Sequence, residues 1–187
     1  PYTPKPLTAF KPQEQIPGLD WLAAYLQNSK NLIGDIVHYY LSFVKHGEDD
    51  EFAYAERACR SRYGSLMAPD RIGRILQSCY QEIMKHSYVF DPSYPLVYTE
   101  FSVFGIHGTH RIDRLMVDDE GLRILIVDFK TGAIHEKEQL EIYARAISEL
   151  PLCKKDVYRI ETRYVLLNLS EHGVKLDQYG VYHKSID

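Results

Sequence analysis

The sequence predicts an α/β protein in which a mixed sheet is flanked by helices and preceded by an N-terminal helical region. Residues 18–90 show helical periodicity, with apolar residues recurring every three or four positions. From residue 94 onward the pattern changes to β-like runs punctuated by glycines. One further helical segment separates three of these runs from the last two, so the sheet is expected to begin antiparallel and to gain strands after a crossover.

Three helices are predicted in the first half of the chain. Asn31 to His46 carries an apolar stripe at i, i+3, i+4 and i+7 spacing. Asp49 to Tyr63 opens with acidic residues and ends at Gly64, a residue type common at the end of a helix. Pro69 to His86 begins with a proline in the first turn, where its missing N–H costs nothing.

The second half of the chain predicts strands around one helix. The continuous apolar run Ile124 to Val127 is typical of a strand that is buried on both faces. The predicted strands are Leu96–Phe104, His110–Val117, Leu122–Phe129, Tyr158–Leu169 and Gly173–His183, and the predicted helix is Glu136–Leu150.

The 187 residues fit one domain and an ordinary globular composition. Residues 1–17 contain five prolines and are predicted to form a linker or arm, before a single domain over 18–187. Within that domain we expect a helical part over 18–90, a catalytic sheet and helix over 94–150, and closing strands over 158–183. Because the chain starts at Pro1, we expect it to be part of a larger parent protein.

Several classes of site and location are disfavoured by composition. No apolar run reaches the ~18 residues that a transmembrane helix needs, so no membrane partner and a cytoplasmic location are expected. The three cysteines form no C-x-x-C pair, which disfavours a zinc ribbon or an iron–sulfur cluster. The net charge of −4 argues against a strong, independent nucleic-acid-binding surface, unless bound metal ions supply positive charge at the reacting phosphate.

The densest group of chemically reactive side chains is Asp113, Asp128 and Lys130. Asp113 lies on one predicted strand and Asp128 near the end of the next, so antiparallel pairing can bring the two carboxylates together. Asp128 and Lys130 are two residues apart and therefore share a face. A hard divalent cation such as Mg²⁺ or Mn²⁺ would compensate the paired carboxylates, and it would suit phosphodiester hydrolysis. Taken singly, each residue is more simply explained otherwise: Asp113 by an ion pair with Arg111 or Arg114, and Asp128 and Lys130 by a solvated strand end.

Three sequence segments in this region form a recognisable series. They are Ile112-Asp113-Arg114-Leu115, Val127-Asp128-Phe129-Lys130-Thr131-Gly132, and the segment from Gln139 to Tyr143. An earlier segment places Gly34 and His38 four residues apart on a predicted helix. In this order they resemble the signature of RecB-like nuclease domains of the PD-(D/E)XK superfamily, the C-terminal modules of RecB- or AddA-type helicase–nucleases. The resemblance spans Gly34 to Tyr143.

The resemblance implies a restriction-endonuclease-like core and a role for each matching residue. It implies metal ligation by His38, Asp113, Asp128 and the backbone carbonyl of Phe129, and a water-mediated metal contact by Glu100. Asp113, Asp128 and Lys130 would be catalytic, with Lys130 orienting or deprotonating the attacking water. Gln139, Tyr143, Arg114 and Thr131 would contact DNA or support the site. Without the resemblance, Tyr143 is more simply a core residue and Gln139 a surface residue.

The implied function is that of a Mg²⁺- or Mn²⁺-dependent DNA nuclease, specifically an exonuclease that processes DNA ends for recombinational repair. No G-x-x-x-x-G-K-[ST] pattern occurs, so the helicase partner would lie elsewhere in the parent chain or in another subunit. Two departures from the family pattern stand out: His110 replaces a glycine three residues before Asp113, and Phe129 replaces the usual tyrosine. Two alternatives remain open, namely a nuclease-fold module that binds DNA or a partner without cutting and a phosphoesterase acting on small substrates.

Overall fold

The structure is a computed structural model that describes residues 20–105, 108–132, 138–151, 153, 157–171, 174–176 and 182–183. The predicted arm over 1–17 and the predicted start of the crossover helix at Glu136 lie outside these residues. In the part of the chain that is described, no helix is both long and apolar enough to cross a membrane.

Three helices precede the sheet: α1 (Asp20–Leu41), α2 (Asp49–Tyr63) and α3 (Pro69–Ile83), with a single 3₁₀ turn at Ser87–Phe90. The prediction for α2 is confirmed at both ends. The predictions that α1 continues to His46 and α3 to His86 are wrong. Residues 42–48 instead form a turn, in which Gly47 adopts a left-handed φ of 79° that glycine tolerates without strain.

A four-stranded mixed sheet forms the centre of the molecule. Its strands follow the order β1-β2-β3-β4, with antiparallel pairing of β1 to β2 and of β2 to β3, and parallel pairing of β3 to β4. The parallel pair is joined through helix α4, which confirms the predicted crossover. The elements are β1 (Leu96–Gly105), β2 (Gly108–Asp118), β3 (Arg123–Lys130), α4 (Gln139–Ser148) and β4 (Arg159–Leu166).

The end of the chain corrects the prediction of one strand over Gly173–His183. It forms a separate small sheet of β5 (Ser170–Glu171), β6 (Val174–Leu176) and β7 (Tyr182–His183). Leu176 pairs with Tyr182 in antiparallel register, which requires the chain to reverse within the stretch that was predicted to be continuous. The Ser170 N–H donates to Ser78 Oγ at 2.7 Å, which ties this sheet to α3.

Two apolar clusters cover the two faces of the central sheet. The helical cluster packs α1–α3 on one face and includes Ile36, Val37, Ile72, Ile75, Met116, Leu125 and Val127. The crossover cluster packs α4 on the other face and includes Val103, Ile112, Leu115, Ile124, Ile126, Leu140 and Ile147. β3 alternates between the two clusters, as a strand buried on both faces should.

The first two strands break this alternation near their middles. Val97 packs with the helical cluster, whereas Val103 packs with the crossover cluster although the two residues have the same parity. On β2, Met116 and Ile112 differ in the same way. In each strand, side chains of the same parity therefore switch from one face of the sheet to the other between these positions. The switch occurs at Glu100 in β1 and at Asp113 in β2.

Candidate active site

The sheet and helices bring seven of the predicted site residues to one cleft. The cleft has a volume of about 910 Å³, and its lining includes carboxylates, basic groups and tyrosines. The predicted residues on its wall are His38 of α1, Glu100 of β1, Asp113 of β2, Asp128 and Lys130 of β3, and Gln139 and Tyr143 of α4.

Glu100 owes its position to a local break in strand geometry. Its φ is 53°, in the left-handed region that glycine tolerates and a residue with a Cβ rarely adopts. Thr99 pairs with Arg114 and Phe101 with Ile112, while Glu100 and Asp113 between them are not paired in the ladder. Beyond this break, the side chains of both strands point to the opposite face of the sheet from the one that simple alternation would give. The break also lets the Glu100 and Asp113 carboxylates line the cleft.

Asp113 is held by contacts to two different elements. Its Oδ1 lies 3.1 Å from His38 Nδ1, and its Oδ2 accepts a hydrogen bond from the Phe129 backbone N–H at 2.8 Å. Burial lowers the pKa of His38, but the hydrogen bond to Asp113 and the charges of Asp113, Asp128 and Glu100 outweigh this and leave the pKa raised. The Asp113 side chain therefore joins α1 to β2 and β3.

Lys130 is held by a chain of polar contacts that starts at Asp128. Its Nζ lies 2.8 Å from Asp128 Oδ2 and donates to Gln139 Oε1 at 2.8 Å. Gln139 Nε2 donates to the Tyr143 hydroxyl at 2.5 Å, and that hydroxyl donates to the Arg111 carbonyl at 2.9 Å. Gln139 and Tyr143 are four residues apart on α4, so one helix face fixes the lysine. The ammonium group is thereby directed at the carboxylates.

The donor set fits a hard divalent cation. Ligand atoms of His38, Glu100 and Asp113 all lie within 4.8 Å of one another. Burial, and next the charge of Asp113, raise the pKa of Asp128. Burial also raises the pKa of Glu100. Bringing these carboxylates together in a partly buried site is electrostatically unfavourable. A bound cation with a preference for oxygen ligands would stabilise their charged forms.

Asp128 adds a further observation that favours a cation. Its side chain is 2% exposed, and its Oδ2 pairs with Lys130 Nζ at 2.8 Å. One lysine compensates only part of the negative charge that Asp113 and Asp128 bring together, so a cation that these oxygens could coordinate is expected. Asp128 lies outside the group of three ligand atoms within 4.8 Å, and we retain it as a predicted ligand from its position in the same cleft.

Three of the predicted residues have surroundings that the sequence did not indicate. Arg114, which was predicted to contact DNA or to support the site, does not line the cleft. Its side chain is 1% exposed and donates to the backbone carbonyls of Val44, at 2.7 Å, and of Lys45. Glu100 was expected to act through water, yet its carboxylate belongs to the group of converging ligand atoms. Thr131 lies close to Gly34 of α1: a β-carbon at position 34 would be 3.6 Å from Thr131 Oγ1.

Sequence reasoning did not select Arg111 as a site residue. Its Nε lies 2.8 Å from Glu100 Oε2, and its side chain is largely exposed on the cleft wall. Arg111 precedes Asp113 by two residues, so strand alternation alone would have placed it near the same surface. Arg62 and Tyr39 also line the cleft, and they come from a part of the sequence that carries no motif.

This combination of buried carboxylates, histidine and lysine in one open cleft defines a metal-dependent phosphodiester hydrolase. A family model described as the PD-(D/E)XK nuclease superfamily matches residues 14–183. No curated protein and no solved structure gives a significant match to the chain. The family match covers most of the chain, and the chain belongs to the PD-(D/E)XK nuclease superfamily.

Proposed function

We propose that this domain is a Mg²⁺- or Mn²⁺-dependent DNA exonuclease that processes DNA ends for recombinational repair. The observation that carries the proposal is the convergence of His38, Glu100 and Asp113 beside the Asp128–Lys130 pair. A module that only binds DNA would have no need for a lysine directed at buried carboxylates, so hydrolysis is favoured over the binding alternative.

The residues of the site divide the chemistry between them. His38, Glu100, Asp113 and Asp128 would hold the metal, which when bound supplies charge neutralisation at the phosphate and an acidified water. Lys130 stands 2.8 Å from Asp128, at the edge of this set, where its ammonium can orient the attacking water and stabilise negative charge on the phosphate. Gln139 and Tyr143 keep Lys130 in that position through their hydrogen bonds.

The cleft supports a polymeric substrate over a small phosphoester. Its lining spans α1, α2, β1, β2, β3 and α4, so the cleft extends from the carboxylates to Arg62 and Tyr39. A closed pocket would instead favour a nucleotide. The net charge of −4 supports a role within a larger assembly, in which a RecB- or AddA-type helicase domain or subunit holds the rest of the DNA.

Cleavage of labelled DNA tests the proposal. Linear single-stranded and double-stranded DNA should be degraded with Mg²⁺ or Mn²⁺ and left intact in EDTA. Asp128→Ala and Lys130→Ala should each lower the rate at least about 100-fold, since each removes a group at the reacting phosphate. Lys85→Ala is the matched control, because that lysine is exposed and pairs with Glu82 on α3.

Two results would count against the proposal in different ways. If metal-loaded wild-type protein hydrolyses no DNA, or if Lys130→Ala cuts as fast as Lys85→Ala, the nuclease proposal or the role of the lysine is wrong. Covalently closed circular single-stranded DNA should resist cutting because an exonuclease needs an end. Cutting of the circle would contradict the exonuclease part alone.

A further inference from the structure

One wall of the cleft carries an arginine packed on tyrosine rings. We call Tyr39, Arg62 and Tyr63 the stacking platform. The Arg62 guanidinium carbon lies 4.4 Å from the centre of the Tyr39 ring and 5.6 Å from that of Tyr63. All three residues line the same cleft as the candidate active site.

The tyrosines of the stacking platform are held in place from behind. The Tyr39 ring makes edge-to-face contacts with Phe43, at 4.9 Å between centroids, and with Tyr63, at 5.7 Å. The Tyr63 hydroxyl donates to the Asp35 backbone carbonyl at 3.3 Å, which links α2 to α1. The Tyr39 ring thus meets Phe43 and Tyr63 at steep angles, while the Arg62 guanidinium lies over it.

Arg62 is exposed at the end of α2, although it packs on Tyr39. A guanidinium is planar, so a group that packs one face on a ring can present its other face to a second flat ligand. Lysine cannot do this, because its charge is a compact, strongly hydrated point. The feature that the cleft offers here is therefore a flat, cationic surface rather than a simple positive charge.

The platform lines the same cleft as the candidate metal site. Tyr39 and His38 both belong to α1, and both side chains line the cleft. A strand that lies along the cleft with a phosphate at the carboxylates would bring another of its nucleotides to Arg62. Proteins that bind single strands commonly combine aromatic and arginine planes in this way, because every base has a flat face.

We propose that the stacking platform binds an unpaired nucleobase of a single-stranded DNA substrate. The inference rests on the proposed nuclease function, whose substrate it specifies. In a duplex the bases are stacked on one another and paired, so the platform would have no base to receive. Single-stranded DNA, or the unwound end of a duplex, is the substrate form that the cleft would favour.

Binding of oligothymidylate, measured by fluorescence anisotropy in EDTA so that no cleavage occurs, tests this proposal. Arg62→Ala should weaken binding of dT15 about tenfold, in the range of one lost base–stacking contact. Arg62→Lys should weaken it nearly as much, because it keeps the charge and loses the plane. Arg57→Ala is the matched control: it removes an exposed arginine of α2 that does not line the cleft, and it should change affinity less than about twofold.

A second oligonucleotide separates stacking from charge. With a 15-residue strand made of abasic sites, wild-type protein and Arg62→Lys should bind equally, because there is no base to stack. A duplex of the same length should likewise show equal affinity for these two proteins. The proposal is overturned if Arg62→Lys binds dT15 as wild type does, if Arg62→Ala and Arg57→Ala are equivalent, or if wild-type protein binds no dT15.

These outcomes are distinguishable from failure of the nuclease proposal. The Arg62 effect is measured in EDTA, where no metal is bound and no cleavage occurs, so it does not depend on hydrolysis. A protein that shows the Arg62 effect on dT15 but never cuts DNA would contradict only the nuclease proposal. A protein that cuts DNA in the presence of metal without any Arg62 effect on binding would contradict only the stacking platform.

Discussion

Glu100 combines an unfavourable backbone with an unfavourable charge. A left-handed φ of 53° in a residue with a Cβ costs about 1–2 kcal/mol. Its carboxylate is also partly buried near Asp113, which contributes to its raised pKa. Nothing in strand pairing requires this arrangement, because the ladder continues on both sides of it. The arrangement makes sense if the carboxylate is needed in the cleft as a metal ligand.

Replacing Glu100 with glycine should therefore stabilise the fold and weaken the site. Glycine adopts the left-handed conformation without strain, so we expect the free energy of unfolding to rise by about 1 kcal/mol. Loss of the carboxylate should at the same time weaken Mn²⁺ binding. Chemical denaturation and calorimetric titration of the same protein samples measure the two effects.

Leu122 provides a matched control for the Glu100 substitution. Its φ is 51°, and it lies in the turn between β2 and β3, outside the cleft lining. Leu122→Gly should relieve the same backbone strain and leave Mn²⁺ affinity unchanged. If Glu100→Gly leaves Mn²⁺ affinity unchanged as well, Glu100 is not a ligand.

The residues of the site were more predictable than their contacts. Asp113, Asp128 and Lys130 stood out because carboxylates and a lysine recur on neighbouring strands. Glu100 carried a weaker signal, since its place in the cleft depends on a backbone break that strand alternation does not anticipate. The contacts of Arg114 could not be anticipated, because its side chain donates to the backbone carbonyl of Val44, which is 70 residues away in sequence.

Two charged side chains, Glu51 and Arg114, hold the turn between α1 and α2. Glu51 accepts hydrogen bonds from backbone N–H groups of the turn, including those of His46 at 2.8 Å and Gly47 at 2.9 Å. Arg114 donates to the backbone carbonyls of Val44 and Lys45 in the same turn. The turn thus links α1, which carries His38, to the strand that carries Asp113.

Glu51→Gln should destabilise the protein in a pH-dependent manner. Burial raises the pKa of Glu51, but the hydrogen bonds from His46, Lys45, Glu48 and Gly47 outweigh it and leave the pKa lowered. A lowered folded-state pKa means that the stabilisation is present above the unfolded value and is lost as pH falls through the folded value.

We therefore expect Glu51→Gln to lose about 1 kcal/mol of unfolding free energy at pH 7, because charged hydrogen bonds become neutral ones. The difference from wild type should shrink as pH falls below about 4.5. Urea denaturation at several pH values measures it. Glu149→Gln, which removes an exposed carboxylate at the end of α4, should show little effect. An equal loss at pH 3 and pH 7 would contradict the account of the turn.

Element boundaries were predictable where local chemistry decides them. The limits of α2 agree with its acidic start and the glycine after its end, although Gly64 keeps a right-handed φ of −63°. The end of α1 depends on Glu51 and Arg114, which are distant in sequence from the last helical residue, so periodicity alone carried the predicted helix too far. The last predicted strand failed for a similar reason, since the short β6 and β7 pair with each other.

At the scale of the whole molecule, the order of elements was predicted and the change of faces in the sheet was not. A helical region, an antiparallel start and a parallel strand after a crossover follow from hydrophobic periodicity. At Glu100 and Asp113, the side chains of β1 and β2 switch from packing in one apolar cluster to packing in the other, and this switch depends on three-dimensional strand geometry. The switch puts two carboxylates between the helices and the sheet, where His38 can approach them.

Binding of Mn²⁺ to wild-type protein and to Asp113→Asn, measured by isothermal titration calorimetry, tests the central claim most directly. Asparagine preserves the shape of Asp113 and removes the charge, and circular dichroism can confirm that the variant is folded. The claim predicts saturable binding to wild type and affinity at least about tenfold weaker for Asp113→Asn, because a charged ligand is lost. No binding to wild type, or equal binding to both proteins, would contradict a metal site formed by His38, Glu100, Asp113 and Asp128.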